Sequence, residues 1–150
     1  MLSNVWDEIA LKIEHTRSDV HINRSQSRVR LTAEVFTPTQ LVIKLLRELP
    51  EISFGPGKTV CDPACGDGQF LVAIKYAKVL IWKQSEEEAL AELFGVDILA
   101  ENVRLCRQRL SGGTIIVGDV LNPERKIAGQ SSTDRKLMRE YFGPEQLLLF

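Results

Sequence analysis

The chain has 150 residues, the length of one domain, and a domain of this size buries about 68–70% of the surface that its unfolded chain exposes. Its composition is ordinary for a soluble globular protein, with 44% hydrophobic residues, 26% charged residues and a formal net charge of −1. These values exclude a chain that is basic overall, and no stretch reaches the roughly 18 apolar residues of a membrane span.

The N-terminal residues predict a short amphipathic helix over residues 4–14, with Ser3 as its N-cap. Its apolar residues recur at helical spacing: Val5, Trp6, Ile9 and Ile13. Residues 15–30 follow with four arginines, one aspartate and little apolar periodicity, which is typical of a loop or mobile arm. Such an arm can contact a phosphate backbone, but the neutral overall charge and the missing aromatic platform favour a solvated linker.

A second helix is predicted in TPTQLVIKLLRELP, where Thr37 or Thr39 can cap the N-terminus and the helix ends before Pro50. Its expected apolar face consists of Leu41, Val42, Leu45, Leu46 and Leu49. Gly55, Pro56 and Gly57 then predict a turn.

Strand and helix patterns alternate after this turn. Strands are predicted in KTVCD, LFGVDI and TIIVGDV, and helices in QFLVAIKYAKVLIWKQ and AENVRLCRQRL, the latter stopped by Gly112 and Gly113. Ser85 has capping-box spacing to Glu88, so a further helix can start there. This alternation predicts an α/β fold around a largely parallel sheet, with ligands at the carboxyl ends of the strands.

The loop after the first strand carries two glycines, Gly66 and Gly68, whose missing side chains let backbone N–H groups approach a ligand at a helix N-terminus. A dinucleotide-binding motif would continue with glycine or alanine where Leu71 stands, so NAD is disfavoured. The loop therefore predicts a small anionic group as ligand.

Each predicted strand ends in an aspartate: Asp62, Asp97 and Asp119. Asp97, at the end of the second strand, can accept hydrogen bonds from a ribose, and Asp119 can accept one from an exocyclic amine such as adenine N6. A carboxylate-bearing nucleoside satisfies these positions. The alternative is structural, because aspartates at strand ends commonly cap helices or form turns, as Asn122-Pro123 suggests after Asp119.

No secretory signal precedes the three cysteines, so we expect a reducing, cytoplasmic compartment. Zinc needs about four ligands, and both histidines lie far in sequence from Cys61 and Cys65. We therefore expect no metal site, and we interpret these two cysteines as a buried strand residue and a turn residue.

Four segments in this order, FTP, DPACGDGQFL, FGVDI and GDVL, resemble the S-adenosylmethionine motifs of amino-adenine N6 DNA methyltransferases. The resemblance is strongest to methylase subunits and domains of type I and related restriction–modification systems, and it covers roughly residues 32–122. It implies a Rossmann-like methyltransferase fold with a partial parallel sheet. It also divides the chain into an N-terminal helix and basic arm, residues 1–31, and an S-adenosylmethionine-binding domain, residues 32–150.

The resemblance also implies which residues contact the cofactor. The segment that meets its methionine end corresponds to Phe36, Thr37 and Pro38, although Phe36 could equally be a core residue. The loop beneath the methionine moiety corresponds to Asp62, Pro63, Ala64, Cys65, Gly66, Asp67 and Gly68. The ribose ligand corresponds to Asp97, with Ile98 against the adenine. The adenine-N6 position corresponds to Asp119 and Val120.

The family's catalytic tetrapeptide, Asn/Asp-Pro-Pro-Tyr/Phe, has no counterpart here. This tetrapeptide orients the adenine amine and stacks on the flipped base. NPER, residues 122–125, comes too early and lacks the second proline and the aromatic residue, while PEQLLLF, residues 144–150, resembles a fourth strand. We therefore assign no catalytic residue, and we expect a partner chain or a missing segment to supply the NPPY/F motif and target recognition.

Three functions remain open. In the first, the chain is the S-adenosylmethionine-binding part of an adenine-N6 DNA methyltransferase that reaches DNA directly or through a partner subunit. Alternatively, it is a non-catalytic S-adenosylmethionine-binding or regulatory protein of a methylase complex. The third candidate, a small-molecule methyltransferase, is disfavoured because that class usually builds its substrate site from later strands.

Overall fold

A computed structural model describes residues 4–19 and 36–144, and every structural statement below concerns these residues. The elements in chain order are α1 (Val5–Asp19), α2 (Thr39–Arg47), a 3₁₀ turn (Glu51–Phe54), β1 (Val60–Asp62), α3 (Gln69–Leu80), α4 (Glu86–Ala91), β2 (Leu93–Asp97), α5 (Ala100–Leu110), β3 (Thr114–Val117) and α6 (Ser132–Phe142).

The three described strands form one parallel sheet in the order β1-β2-β3. Val60 pairs with Leu93, and Phe94 pairs with Thr114. The carboxyl ends of the strands therefore meet at one edge of the sheet, directly before the loops that lead into α3 and α5. The predicted α/β architecture with a parallel, Rossmann-like sheet is confirmed.

Helices cover both faces of the sheet. Side chains alternate along a strand, so Leu93 and Ile115 join the main core with α3 and α5, whereas Val96 and Ile116 contact Met138 of α6 on the opposite face. Helices α1 and α2 pack on the outer side of α3, and Ile9 and Ile13 of α1 belong to the main core.

Helix α3 is buried almost all round, as its continuous apolar pattern predicts, and two lysines are buried with it. The fully buried Lys78 Nζ donates to the carbonyl oxygens of Gly55 (3.1 Å) and Lys58 (2.9 Å) and forms an ion pair with Glu92. Burying an ammonium group is tolerated here because all these acceptors compensate its lost hydration.

Helix α1 is longer than its sequence pattern predicts, since it continues through residues 15–19, which we expected to begin the arm. Hydroxyl groups near its C-terminus bond back to the helix, with Thr16 Oγ1 donating to the Ile13 carbonyl. At the N-terminus, Asn4 Oδ1 accepts from the Trp6 N–H (3.0 Å). Ser3, the rest of the predicted basic arm and most of the predicted fourth strand lie outside the described residues.

The predicted apolar face of α2 is wrong in part. Val42 and Leu46 are buried as expected, but the other three predicted leucines, Leu41, Leu45 and Leu49, are exposed, and Ile43 is buried instead. Neither threonine caps the helix through its side chain, because the residue at the N-cap position is Pro38 and Thr39 Oγ1 donates to Glu14.

The predicted start of a helix at Ser85 is confirmed. Ser85 Oγ accepts from the Glu88 N–H (3.1 Å), and the Glu88 carboxylate accepts from the Ser85 N–H (2.9 Å), which together form a capping box before α4. Across the described ranges, no helix combines the length and the apolar character needed to cross a membrane.

Candidate functional site

A cleft of about 310 Å³ opens at the carboxyl ends of β1 and β2. This is where open α/β sheets bind ligands, and the volume is at the lower end of the range for small-molecule sites. The described residues that line it are Phe36, Thr37, Asp62, Ala64, Cys65, Gly66, Asp67, Gln69, Phe70 and Asp97.

The loop from β1 to α3 requires glycine at two positions. Gly66 and Gly68 have φ angles of +56° and +94°, in the left-handed region. A Cβ atom on Gly66 would lie 3.1 Å from Phe36, and one on Gly68 would lie 2.7 Å from Cys106 Sγ. The loop backbone is thus held between the Phe36 ring and α5, and the N–H groups of Gly66 and Gly68 donate to Asp97 Oδ2 and to the Cys65 carbonyl.

Asp97 joins the end of β2 to this loop. Its Oδ2 accepts from the Gly66 N–H (2.9 Å), and its Oδ1 accepts from the Leu99 N–H (2.8 Å) and from Asn102 Nδ2 (3.1 Å). An ionised carboxylate has about four acceptor sites. Among the described residues, three donors use three of these sites, which leaves one site for a further donor.

Asp62, at the end of the neighbouring strand β1, also lines the cleft. Burial raises the pKa of the Asp62 carboxyl, the hydrogen bond from the Ala64 N–H (3.2 Å) opposes this shift, and the charge of Asp97 adds to it. Both carboxylates therefore favour a ligand that brings positive charge or hydrogen-bond donors.

The cysteines differ from the interpretation of the sequence. Cys65 is buried, whereas Cys61, the expected buried strand residue, is exposed on the sheet face that it shares with Phe94. A hydrogen bond with Cys106, together with burial, raises the pKa of the Cys65 thiol. Within residues 4–19 and 36–144, no three His, Cys, Asp or Glu residues cluster as a metal site requires.

Two residues of the cleft were missed in the sequence, Gln69 and Phe70. The buried Gln69 connects the glycine loop to the FTP segment, because its Nε2 donates to the Thr37 carbonyl (2.9 Å). The available signal was a polar residue at the first position of an otherwise apolar helix.

The structure brings eight of the predicted site residues together around the cleft: Phe36, Thr37, Asp62, Ala64, Cys65, Gly66, Asp67 and Asp97. Pro38, Pro63 and Gly68 adjoin them in the chain, and Ile98 is 43% exposed after β2. Their contacts with a cofactor stay predictions.

Asp119 and Val120 do not line the cleft. Asp119 Oδ1 accepts from the N–H groups of Leu121 (3.0 Å) and Asn122 (3.3 Å), and its Oδ2 pairs with Arg125 (3.2 Å). Val120 packs against the cluster beneath α6. Asp119 thus has the turn-forming contacts that its sequence context left as an alternative.

Comparison with known protein families identifies the family of this chain. The N-6 DNA methylase family profile matches residues 23–120, a span that includes the FTP segment, the glycine loop and the aspartates after all three strands. Comparisons with curated proteins and with solved structures returned no match. Members of this family normally use S-adenosylmethionine. Since the match spans more than half of the 150 residues, the chain belongs to the N-6 DNA methylase family.

Proposed function

We propose that this chain is the S-adenosylmethionine-binding part of an adenine-N6 DNA methyltransferase of the restriction–modification type, acting in the cytoplasm. The observation that carries the proposal is the meeting of three elements in one cleft. These are the glycine loop, the FTP segment and Asp97 at the carboxyl end of β2. When bound, S-adenosylmethionine supplies the methyl group.

The charge of the cleft supports this cofactor over a dinucleotide. Its described lining contains the carboxylates of Asp62 and Asp97 and no basic residue, while the carboxylate of Asp67 is buried and paired with Arg109. S-adenosylmethionine carries an ammonium and a sulfonium group against one carboxylate, whereas NAD carries a negatively charged diphosphate. The acidic lining therefore attracts the first ligand and repels the second.

The shape of the cleft also fits the groups of the cofactor. The fourth acceptor site of Asp97 suits a ribose hydroxyl. The backbone around Gly66 and Gly68 approaches closely because neither residue has a side chain, and the N-terminus of α3 favours a carboxylate. In this proposal the chain binds and orients the cofactor and excludes water from its methionine side.

Methyl transfer further requires acceptors for the adenine amine and a ring that stacks on the flipped base. We propose that an additional segment or a partner chain supplies them beside β1. None of the described strands pairs with the outer edge of β1, and the exposed Cys61 faces the same side as Phe94 and Tyr141, whose rings are in edge contact at 5.3 Å. Unpaired strand edges invite partner strands.

The position of α6 supports the same arrangement. Helices α3 and α5 cover one face of the sheet, but α6 covers the other. In a doubly wound sheet, the chain changes face when it returns to the far side of the first strand, next to the ligand cleft. A strand added at β1 would therefore bring its own carboxyl end to the cofactor, and DNA would be reached directly or through that partner.

Calorimetry tests the cofactor. We expect S-adenosylmethionine and S-adenosylhomocysteine to bind the purified chain and NAD not to bind. Equal binding of NAD would contradict the acidic-cleft argument.

Transfer is tested with tritiated S-adenosylmethionine and unmethylated DNA, with and without a candidate partner that carries the NPPY/F motif. Tritium in adenine only with the partner supports a divided methyltransferase. Transfer by this chain alone would refute the partner requirement. Cofactor binding without transfer under either condition would favour the non-catalytic binding or regulatory alternative.

A further inference from the structure

Arg109, near the end of α5, is buried behind the glycine loop and does not line the cleft. Its guanidinium forms an ion pair with Asp67 Oδ2 (3.1 Å), and it donates to the Asp67 carbonyl (3.2 Å) and to Gln69 Oε1 (2.7 Å). On its other side, it donates to the Ile13 carbonyl (3.2 Å) and to Thr16 Oγ1 (3.3 Å) of α1.

The ion pair is inaccessible to solvent, since the side chains of Arg109 and Asp67 both have 0% exposure. A buried guanidinium is tolerated only with a counter-charge and satisfied donors, and its planar fork of donors suits the simultaneous contacts found here. A lysine has the charge but lacks this fork. The site therefore uses the geometry of arginine as well as its charge.

Both loop residues that Arg109 holds, Asp67 and Gln69, line the cleft on the other side. Gln69 links Arg109 to the FTP segment, because its Oε1 accepts from Arg109 while its Nε2 donates to the Thr37 carbonyl (2.9 Å). One buried side chain thus fixes the loop and, through Gln69, the FTP segment.

We propose that Arg109 is a positioning residue for the cofactor: it holds the glycine loop and Thr37 in the shape that receives the amino-acid part of S-adenosylmethionine. This inference rests on the proposed function. The inference adds to the site Arg109, a residue that does not contact the cofactor itself. It also adds α1, which supplies two acceptors to Arg109 and precedes the matched residues 23–120.

The neighbouring Arg107 provides a matched control on the same helix. It donates to the Ile115 carbonyl (2.6 Å) and forms an ion pair with the buried Asp134 (3.0 Å), beside α6 and outside the cleft lining. Arg107→Met therefore removes an arginine, a carbonyl contact and an ion pair to a buried carboxylate without touching the glycine loop.

The test compares two ligands by calorimetry, S-adenosylhomocysteine and methylthioadenosine, which lacks the amino-acid part. We expect Arg109→Met to weaken binding of S-adenosylhomocysteine on the order of tenfold, about 1.4 kcal/mol, and to change binding of methylthioadenosine less than about threefold. Arg107→Met should change neither affinity by more than about threefold. Equal losses for both ligands, or equal effects of the two variants, would overturn the positioning role.

Hydrogen exchange provides a readout that needs no ligand. If the Arg109→Met variant does not fold, Arg109→Lys retains the charge and replaces it in this test. Residues 65–72 should exchange faster in the Arg109 variant than in the wild type, while residues 93–97 should be unchanged. Unchanged exchange in residues 65–72 would overturn the inference. Failure of the wild type to bind either ligand would instead refute the proposed cofactor and leave this exchange test decisive for Arg109.

Discussion

The carboxylate of Asp97 serves the loop as well as the proposed ribose, so the variant Asp97→Asn tests both roles. An amide has nearly the same shape, but it replaces one acceptor oxygen with an NH₂ donor. The wild-type carboxylate accepts from Gly66, Leu99 and Asn102. The asparagine oxygen can still accept from Leu99 and Asn102, which both contact Oδ1 in the wild type. The NH₂ group then faces the Gly66 N–H, which loses its acceptor.

The expected magnitudes follow from these contacts. A hydrogen bond to a charged group contributes about 1.5–3 kcal/mol, and one such bond is lost, so the free energy of unfolding should fall by about that amount. A ribose hydroxyl that loses its charged acceptor costs binding a similar free energy, which is about a 10- to 150-fold loss of affinity. Asp97→Ala removes all three bonds and should be markedly less stable than Asp97→Asn.

The assays are urea unfolding for stability and calorimetry with S-adenosylhomocysteine for affinity. Met138→Ala is the matched control, because the fully buried Met138 of α6 packs on the sheet face opposite to α3 and α5, and its truncation should destabilise the fold by about 2–5 kcal/mol without changing affinity. If folded Asp97→Asn binds within threefold of the wild type, the ribose does not contact Asp97. Unchanged stability would show that Asp97 does not hold the loop.

Three further predictions concern stability. Gly68→Ala should lower the free energy of unfolding in urea by about 2–4 kcal/mol, because a residue in the left-handed region gains a Cβ that clashes with Cys106. Adding Cys106→Ala should recover part of this loss, and no recovery would contradict the clash. Lys78→Met should cost about 3–5 kcal/mol by the same measurement, since it leaves Glu92 without its counter-charge and the carbonyl groups of Gly55 and Lys58 without this donor. A neutral effect would show that these groups are rehydrated. Asp62→Asn should raise the melting temperature at pH 7, and it should raise it less at pH 3. The pKa of the Asp62 carboxyl is raised in the folded protein, so this group contributes stability below its unfolded pKa and loses that contribution as the pH rises. Asparagine does not titrate and therefore avoids the loss at pH 7. Equal shifts at both pH values would contradict that sign.

The sheet and its crossover helices could be predicted from local signals. Short β-branched runs end at aspartates or glycines, and the capping box at Ser85 depends on residues only three positions apart. The buried side of α2 could not be predicted in this way, because several rows of apolar residues are equivalent in hydropathy. Which row is buried depends on where α1 and α3 lie, and Val42 and Leu46 face them.

The cleft shows the same division between local and distant determinants. Gly66 and Gly68 are recognisable as a loop before a helix. Arg109, in contrast, resembles the other arginines of α5 in sequence, and only the fold places it against Asp67, which is 42 residues away. Asp119 shows the opposite problem, because a turn signal and a ligand signal occupy the same residue and its described contacts are those of the turn.

Helix α1 can complete its contacts with the rest of the fold only after α5 has been synthesised. Ile13 is made early, yet its carbonyl bonds to Arg109, 96 residues later in the chain. At roughly 5–20 residues per second, this separation corresponds to about 5–20 s of translation. For that time the apolar side chains of Ile9 and Ile13, which end in the main core, have no complete surface to cover them. Helix α1 therefore completes these contacts only after α5 has been synthesised, and until then its apolar face is a surface that a chaperone can protect.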